Sequence, residues 1–397
     1  MVNGIGRTAN EISRLRQRVE FIATREVHGS SSPGFPMASF GSTNERVLTN
    51  HLALVCDIVV ERLQLLSSCR LQNETPAALV RAGFCDPVRV FTKLEPHSPK
   101  KLRDDRYRLI SSVSLVDQII ERLLFGNQNK QEIESWESIP SKPGMGLDDD
   151  GLKTIFNTVT KQSVYKDLME TDMSSWDWTV QGWELELDGD VRCDLYGLPQ
   201  HSDLRKIIMN RVYCLRHTVF CLSDGTLYES LVDGIQLSGS YNTSSTNSRI
   251  RVLLLHLASA WHSWDEEGHV YNVDTAPWIM AMGDDSIEEF LPYSSHYYTL
   301  MGHIVKQSRK FSCGEPFEFC SNLFPPSSWK ARPCNPSKML VNLFSGPVEN
   351  RYMRYHQWKL EMRYHPDLDR LDLLVREIFG SDPADGQRHL FTGVSGC

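Results

Sequence analysis

Gly283-Asp284-Asp285 stands between Trp278-Ile279-Met280-Ala281-Met282 and the shorter apolar stretch that begins at Ser286-Ile287. Gly and Asp tolerate turn geometry and the flanks suit strands, so the segment reads as a β-hairpin with the two carboxylates at its tip. Adjacent carboxylates on a tight turn repel each other unless a cation sits between them. Mg²⁺ suits such a site, because it takes carboxylate oxygens and leaves room for phosphates. Taken alone, the tripeptide reads more readily as an ordinary solvated turn. Two more carboxylates stand upstream in Asp172-Met173-Ser174-Ser175-Trp176-Asp177, just after a strand-like segment. Between the two sites, Ser238-Gly239-Ser240-Tyr241-Asn242-Thr243 supplies small residues where a backbone must approach something closely, and it feeds a helix carrying Thr243 and Asn247 on one face.

These groups need elements to hold them. Residues 1–45 mix Arg and Glu at helical spacing and break at Ser30-Ser31-Ser32-Pro33-Gly34-Phe35-Pro36, a loop by composition. Apolar positions from 44 to 71 recur at helical spacing, and Val88-Arg89-Val90-Phe91-Thr92 alternates like a strand. A helix is expected over 114–125, a connector over 141–151, a strand over 163–169 ending at Asp172, and a helix over 200–216. The pattern continues with a hairpin from Val219 to Ser230, a long helix over 245–261, a helix around 294–306 and a mostly helical tail over 338–380. Asp148-Asp149-Asp150 reads as a helix N-cap cluster, favourable at the positive end of the dipole, rather than a metal site. Trp176 and Trp178 flank Asp177; stacking platforms for bases are one reading and core residues the favoured one.

The chain has 397 residues, 41% hydrophobic and 23% charged, which suits a globular protein with a sizeable core. A formal charge of -8 does not announce a nucleic-acid binder, but field shape rather than total charge steers a polyanion. Residues 93–108 hold Lys93, Lys100, Lys101, Arg103, Arg106 and Arg108 against Glu95, Asp104 and Asp105, a local +3. That segment is either a solvated loop or a guide for triphosphates, since Arg and Lys suit phosphate oxygens. Ten cysteines lack a disulfide-like framework, and the N-terminus lacks a signal-peptide core, so reduced, buried thiols in the cytosol are expected. His303, Cys313, Cys320 and Cys334 come nearest to a zinc set, but no Cys-x-x-Cys pair pins it. No apolar run approaches the ~20 residues of a membrane span.

In order, Asp172-x4-Asp177, Ser238-Gly239-x3-Thr243-x3-Asn247 and Gly283-Asp284-Asp285 resemble motifs A, B and C of the RNA-dependent RNA polymerases of positive-strand RNA viruses. Each alone is weak to moderate; the ordered trio is specific. Ser32-Pro33-Gly34-Phe35-Pro36 resembles motif G on the template path. Lys93-Leu94-Glu95-Pro96-His97 through Arg106-Tyr107-Arg108-Leu109-Ile110 resembles the basic motif F, and Phe319-Cys320-Ser321-Asn322-Leu323-Phe324 resembles motif E. Tyr107-Arg108-Leu109-Ile110-Ser111-Ser112 looks most like the sobemovirus, polerovirus and barnavirus group, and the match covers about residues 30–330.

The resemblance implies an α+β right-hand polymerase fold, with an antiparallel palm sheet and a small helical thumb. Fingers would take 1–163 (motifs G and F) and an insertion at 191–232; palm 164–190 (motif A) and 233–330 (motifs B to E); thumb 331–397. A small thumb suits de novo or protein-primed initiation. It implies nucleotide addition with two Mg²⁺ or Mn²⁺ ions on Asp172, Asp284 and Asp285, and a motif D proton donor at Lys310 or Lys306, Lys310 fitting slightly better by its distance from Gly302. Asp177 and Asn247, aided by Ser238, Gly239 and Thr243, would select ribose. Lys93, Arg106 and Arg108 would meet the incoming phosphates. Ser32, Gly34 and Pro36 would line the template, and Cys320 and Ser321 would grip the product. Implied partners are template and nascent RNA, nucleoside triphosphates, a protein primer and other viral replicase proteins. The implied location is the host cytoplasm, at membrane-associated replication complexes reached through those partners. A reverse transcriptase and a catalytically idle RNA-binding replicase scaffold remain the alternatives.

Overall fold

The computed structural model describes residues 8–93, 95, 97, 99–267, 272–345 and 348–379. Residues 1–7, Leu94 and Pro96 of the basic segment, and the last residue of the expected tail helix lie outside that set. The chain divides into two compact units, 1–93, 108–145 and 171–308 in one, and 94–107, 146–170 and 309–397 in the other.

In the first unit, helices Ala9–Arg25, Asn44–Ser68, Leu115–Glu134 and Asp203–Arg216 turn their apolar stripes onto one core around Ile22, Val55, Leu63, Ile119 and Ile207. Each starts at a side-chain cap, Thr8, Thr43, Ser114 or Ser202, that accepts an otherwise orphaned backbone N–H; such caps stabilise by about 1 kcal/mol each. A four-stranded sheet runs in the order Leu109–Ser112, Val88–Thr92, Val219–Cys221, Leu227–Glu229. Its two inner strands are parallel, and both outer pairings are antiparallel.

The sheet that matters for chemistry has the order Ile279–Met282, Asp285–Glu289, Leu168–Met173, Val305–Phe311. The first two strands form the expected antiparallel hairpin. The long helix Thr243–His262 packs against them, burying Ile250, Leu254, Leu255 and Ala258 with Ile279, Ala281, Tyr297 and Tyr298. Fully burying one such aliphatic side chain contributes about 1.5–3 kcal/mol, so helix and hairpin hold each other in place.

In the second unit, Asp148 caps helix Asp149–Ser163 by accepting from the Gly151 amide at 2.8 Å, as the sequence predicts. Strands Phe317–Phe319, Asn322–Phe324 and Arg332–Pro333 form a small antiparallel sheet. Helices Pro336–Ser345, Arg351–Glu361 and Leu368–Phe379 close a separate core around Leu343, Tyr355, Trp358, Met362 and Val375.

Several expectations are corrected. The strand expected over 163–169 is Leu168–Met173, because the preceding helix continues to Ser163. The helix around 294–306 stops at Leu300: Gly302 takes a φ of +101°, and the chain re-enters the sheet as Val305–Phe311. Trp176 is core, but Trp178 is 48% exposed, its ring tilted over Phe220. Cysteines 56, 85, 193, 214 and 221 are buried as expected, whereas Cys69, Cys313 and Cys334 are exposed. His303, from the weighed zinc set, is instead buried against Glu184 at 2.7 Å. Among the described residues no helix is long and apolar enough to cross a membrane.

Candidate active site

Met282 pairs with Asp285, leaving Gly283-Asp284 as a two-residue loop. Only Gly283 has a positive φ (+63°), the pattern of a type II′ turn with glycine first. The Gly283 amide donates to Ser248 Oγ at 2.8 Å, and the Ser248 hydroxyl donates to the Ser244 carbonyl oxygen at 2.7 Å. Ser248 is fully buried. The acidic turn is thus fastened to the helix residue that follows Asn247.

The neighbouring strand is keyed to the hairpin by a buried cluster. Thr171 Oγ1 donates to Glu288 at 3.2 Å, Tyr298 OH reaches both Glu288 oxygens at 3.1 Å, and Arg251 donates to Glu288 at 2.9 Å and to Ser286 Oγ at 2.7 Å. Burial pushes the Glu288 carboxyl up, against the opposing pull of Arg251. Side chains alternate along a strand. Thr171 and Glu288 share the inner face, so Asp172 and Asp285 project from the opposite face of adjacent strands. Lys306 Nζ lies 2.5 Å from Asp172 Oδ2, and Lys310 Nζ lies 2.6 Å from Asp167. Of the two lysines weighed from the sequence, Lys306 is therefore the one beside an acidic site residue.

Asp177 lies in the short helix Trp176–Thr179, entered through Ser175 at a φ of +52°. Its carbonyl oxygen accepts from the Gln236 amide at 2.8 Å, and its Oδ1 accepts from Asn247 Nδ2 at 3.3 Å. Burial raises the Asp177 carboxyl above its usual range; the Asp284 charge adds to that rise, while Asn247 and Arg108 oppose it. Asn247 is 5% exposed, and its Oδ1 has no partner among the described residues.

The 238–245 loop is tied down along its length. Ser238 and Ser111 exchange amide-to-hydroxyl bonds at 3.1 and 2.9 Å. A Cβ on Gly239 would lie 2.1 Å from the Ser111 carbonyl oxygen, so only glycine fits there. Thr243 Oγ1 donates to the Leu237 and Ser240 carbonyls at 2.8 and 2.9 Å, closing the loop rather than facing outward. Lys93 and Arg108 meet through their backbones, N–H to carbonyl at 2.8 Å, with the Arg108 side chain exposed. Arg106 belongs to the second unit, where its amide bonds the Lys101 carbonyl.

In the 32–36 loop, Ser32 Oγ accepts from the Gly34 amide at 3.3 Å, and Gly34 (φ +65°) presses on Val113 and Ser114. Pro36 precedes the short turn Met37–Ser39. Cys320 and Ser321 form the two-residue turn of the small sheet at φ +49° and +57°, a left-handed pair without glycine. Such non-glycine residues are strained.

The oxygen-only donors of Asp172, Asp284 and Asp285 suit a hard divalent cation, and two features fit one: the Asp284 charge is felt at Asp177, and Asp172 has already drawn in a lysine cation. Among the described residues, no three His, Cys, Asp or Glu side chains are gathered closely enough to hold a metal.

A sequence model of the family described as "Viral RNA-directed RNA-polymerase" matches residues 7–324. The chain belongs to the viral RNA-directed RNA polymerases. It is 39% identical over 365 residues to the "RNA-directed RNA polymerase" of mushroom bacilliform virus, covering 91% of this chain and 84% of that one. It is 45% identical over 305 residues to the "Replicase polyprotein P2AB" of Southern bean mosaic virus, covering 75% of this chain but only 30% of the polyprotein. Potato leafroll virus "Protein P1-P2" is 37% identical over 340 residues, with 82% and 30% covered. The expected sobemovirus, barnavirus and polerovirus kinship is thereby met. Among solved structures, a sicinivirus 3Dpol RNA-dependent RNA polymerase matches at a TM-score of 0.58 and 18% identity, covering 84% of this chain and 71% of that one. The polymerase accordingly has the right-hand fold, and its family in general uses divalent metals and nucleotides.

Sequence reasoning missed the supports beneath this polymerase's site. Glu121, fully buried, accepts from Ser240 Oγ and the Tyr241 amide at 2.8 Å and from Arg211 at 2.6 Å, fixing the loop to a distant helix. Asp188 takes Arg192 at 2.9 Å, Arg249 and Thr246. Burial would raise the Asp188 carboxyl, but the two guanidiniums bring it down to about 2. The available signal was the alternation of Arg249 and Arg251 with Ile250 and Val252 just before the apolar run Leu253-Leu254-Leu255 of that helix.

Proposed function

We propose that this polymerase copies an RNA template by adding ribonucleotides to a growing strand, the 3′-hydroxyl attacking the α-phosphorus in line as pyrophosphate leaves. The observation that carries the reading is the buried Asn247 Oδ1, unpartnered, on a side chain already bonded to Asp177 beside the Gly-Asp-Asp turn. A ribose 2′-hydroxyl is the donor that such an oxygen lacks. It favours ribonucleotides, and so speaks against a reverse transcriptase.

Asp172, Asp284 and Asp285 would hold two Mg²⁺ or Mn²⁺ ions. Bound there, ions of this kind lower the pKa of an attacking oxygen and neutralise charge on a leaving one. For its part, the chain holds the three carboxylates on one hairpin and its neighbouring strand, and orients the sugar through Asp177 and Asn247. Ser238, Gly239 and Thr243 shape the loop beneath the sugar. Lys93, Arg106 and Arg108 meet the triphosphate, where positioned cations stabilise transferring phosphoryl charge. Lys306, near Asp172, is placed to give a proton to pyrophosphate, with Lys310 four residues further along the same strand. Ser32, Gly34 and Pro36 would guide template, and Cys320 and Ser321 would contact product.

In this reading residues 1–163 and 191–232 are fingers, 164–190 and 233–330 palm, and 331–397 thumb. The small helical thumb favours de novo or protein-primed initiation. The chain spans 30% of the Southern bean mosaic virus polyprotein and of the potato leafroll virus protein; in this reading it would work beside other replicase proteins, in the host cytoplasm at replication complexes.

The test is Asp284→Asn with template, nucleotides and Mg²⁺. Incorporation should fall by at least about a hundredfold, within the range of losing one key electrostatic group, while the melting temperature and template binding persist. Incorporation at the parental rate would falsify the proposal. Equal use of NTPs and dNTPs by the parent chain would favour the reverse-transcriptase reading instead.

A further inference from the structure

A cavity of about 380 Å³ lies away from the aspartates, lined among others by Phe35, Ser42, Arg89, Cys221, Ser223 and Gly225. That volume is within the range that holds a small ligand or one nucleotide unit. Its floor is the central strand Val88–Thr92, where Arg89 stands beside Cys221 in register. One wall is the hairpin joining Val219–Cys221 to Leu227–Glu229; another is the loop carrying Phe35.

Arg89 is half-buried and forms no ion pair among the described residues; its guanidinium sits 5.5 Å over the Phe91 ring. The buried arginines of the same unit differ: Arg62, Arg192, Arg211, Arg249 and Arg251 are each paired with a carboxylate. In the adjoining turn, one carboxylate oxygen of Asp224 accepts from the Thr226 amide at 2.9 Å. Ser42 Oγ accepts from Arg46 at 3.5 Å, which brings to the rim a second guanidinium with no ion pair among the described residues. Two cations, two serine hydroxyls and an aromatic ring around one hollow suit a phosphodiester with an unpaired base: guanidiniums fork phosphate oxygens, and bases stack on aromatic rings.

We propose that this cavity is a backbone-binding station for single-stranded RNA template, with Arg89 taking a phosphate and Phe35 carrying a base. The proposal rests on the polymerase reading above. It adds the Val219–Cys221 hairpin and Arg89 to the template path, neither of which belongs to the sequence motifs.

The test measures equilibrium binding of a single-stranded RNA oligonucleotide across a salt series, for the parent chain, Arg89→Met and Arg89→Lys. Losing one phosphate contact should lower the slope of log affinity against log salt by about 0.7. At fixed salt, binding by Arg89→Met should be about tenfold weaker, as for a hydrogen bond to a charged group. Arg89→Lys should keep most of the slope, and the melting temperature of both variants should stay at the parental value. An unchanged slope in Arg89→Met overturns the station, as does equal loss in Arg89→Lys or an Arg89-dependent site that takes nucleoside triphosphate but not RNA. A parent chain that binds no RNA at all would instead sink the polymerase reading.

Discussion

Ser248→Ala removes one oxygen and tests whether the acidic turn is held by the helix beneath it. In the parent, that hydroxyl accepts from the Gly283 amide at 2.8 Å and donates to the Ser244 carbonyl at 2.7 Å, in a side chain with no exposed surface. Alanine leaves the helix intact and leaves the Gly283 N–H without its acceptor. An unsatisfied buried amide costs about 1–3 kcal/mol. Gly283 is only partly buried, so water recovers some of that, and the low end, about 1 kcal/mol, applies to overall stability. The larger effect should fall on chemistry, because Asp284 and Asp285 follow directly. If the turn's fixed position contributes about 1.4 kcal/mol in the transition state, incorporation falls about tenfold. The assay pairs thermal melting with single-turnover incorporation over a Mg²⁺ titration. A small melting shift should accompany a rise in the Mg²⁺ needed for half-maximal rate. A variant that loses stability yet keeps both the parental rate and the parental Mg²⁺ curve would refute the reasoning, since Ser248 would then be packing alone.

Gly239→Ala places a methyl group 2.1 Å from the Ser111 carbonyl oxygen; the loop must shift, and NTP incorporation should drop at least about tenfold with loss of the paired Ser238–Ser111 bonds, read by rate and by amide exchange at Ser111. The Asp188 carboxyl, held down to about 2 chiefly by Arg192 and Arg249 against its burial, has a folded pKa below its unfolded one. Its contribution, about 2 kcal/mol, is therefore full above pH about 4 and lost as pH falls toward 2. Denaturant melts of the parent and Asp188→Asn should converge over that window; parallel curves would count against the assignment.

How far the sequence reached is clearest at three places. The hairpin with Gly-Asp-Asp at its tip was legible because glycine's tolerance of positive φ and the apolar flanking runs are local properties of the chain. The Asp148 cap was legible for the same reason: a side chain bonding its own helix needs no distant partner. The 245–261 helix came within two residues at its start. The strand carrying Asp172 was misplaced by several residues, since a helix and a strand meet there and Leu168 to Met173 become a strand only by pairing with the neighbours the fold supplies. Val305 and Lys306, expected at the end of a helix, open the strand Val305–Phe311 for the same cause.

What the sequence by itself determined was the identity and order of the chemistry-bearing residues, together with the short-range turns and caps that present them. Only the tertiary structure decided which charges are neutralised inside the fold. Glu288 with Arg251, Asp188 with Arg249, and Glu121 with Arg211 each join segments tens of residues apart. Burying a charge is tolerable only when an opposite one arrives in the same place, and arrival in one place is a property of packing rather than of spacing along the chain. The same packing sets Ser248 under Gly283 and, among the described residues, leaves Arg89 without a carboxylate.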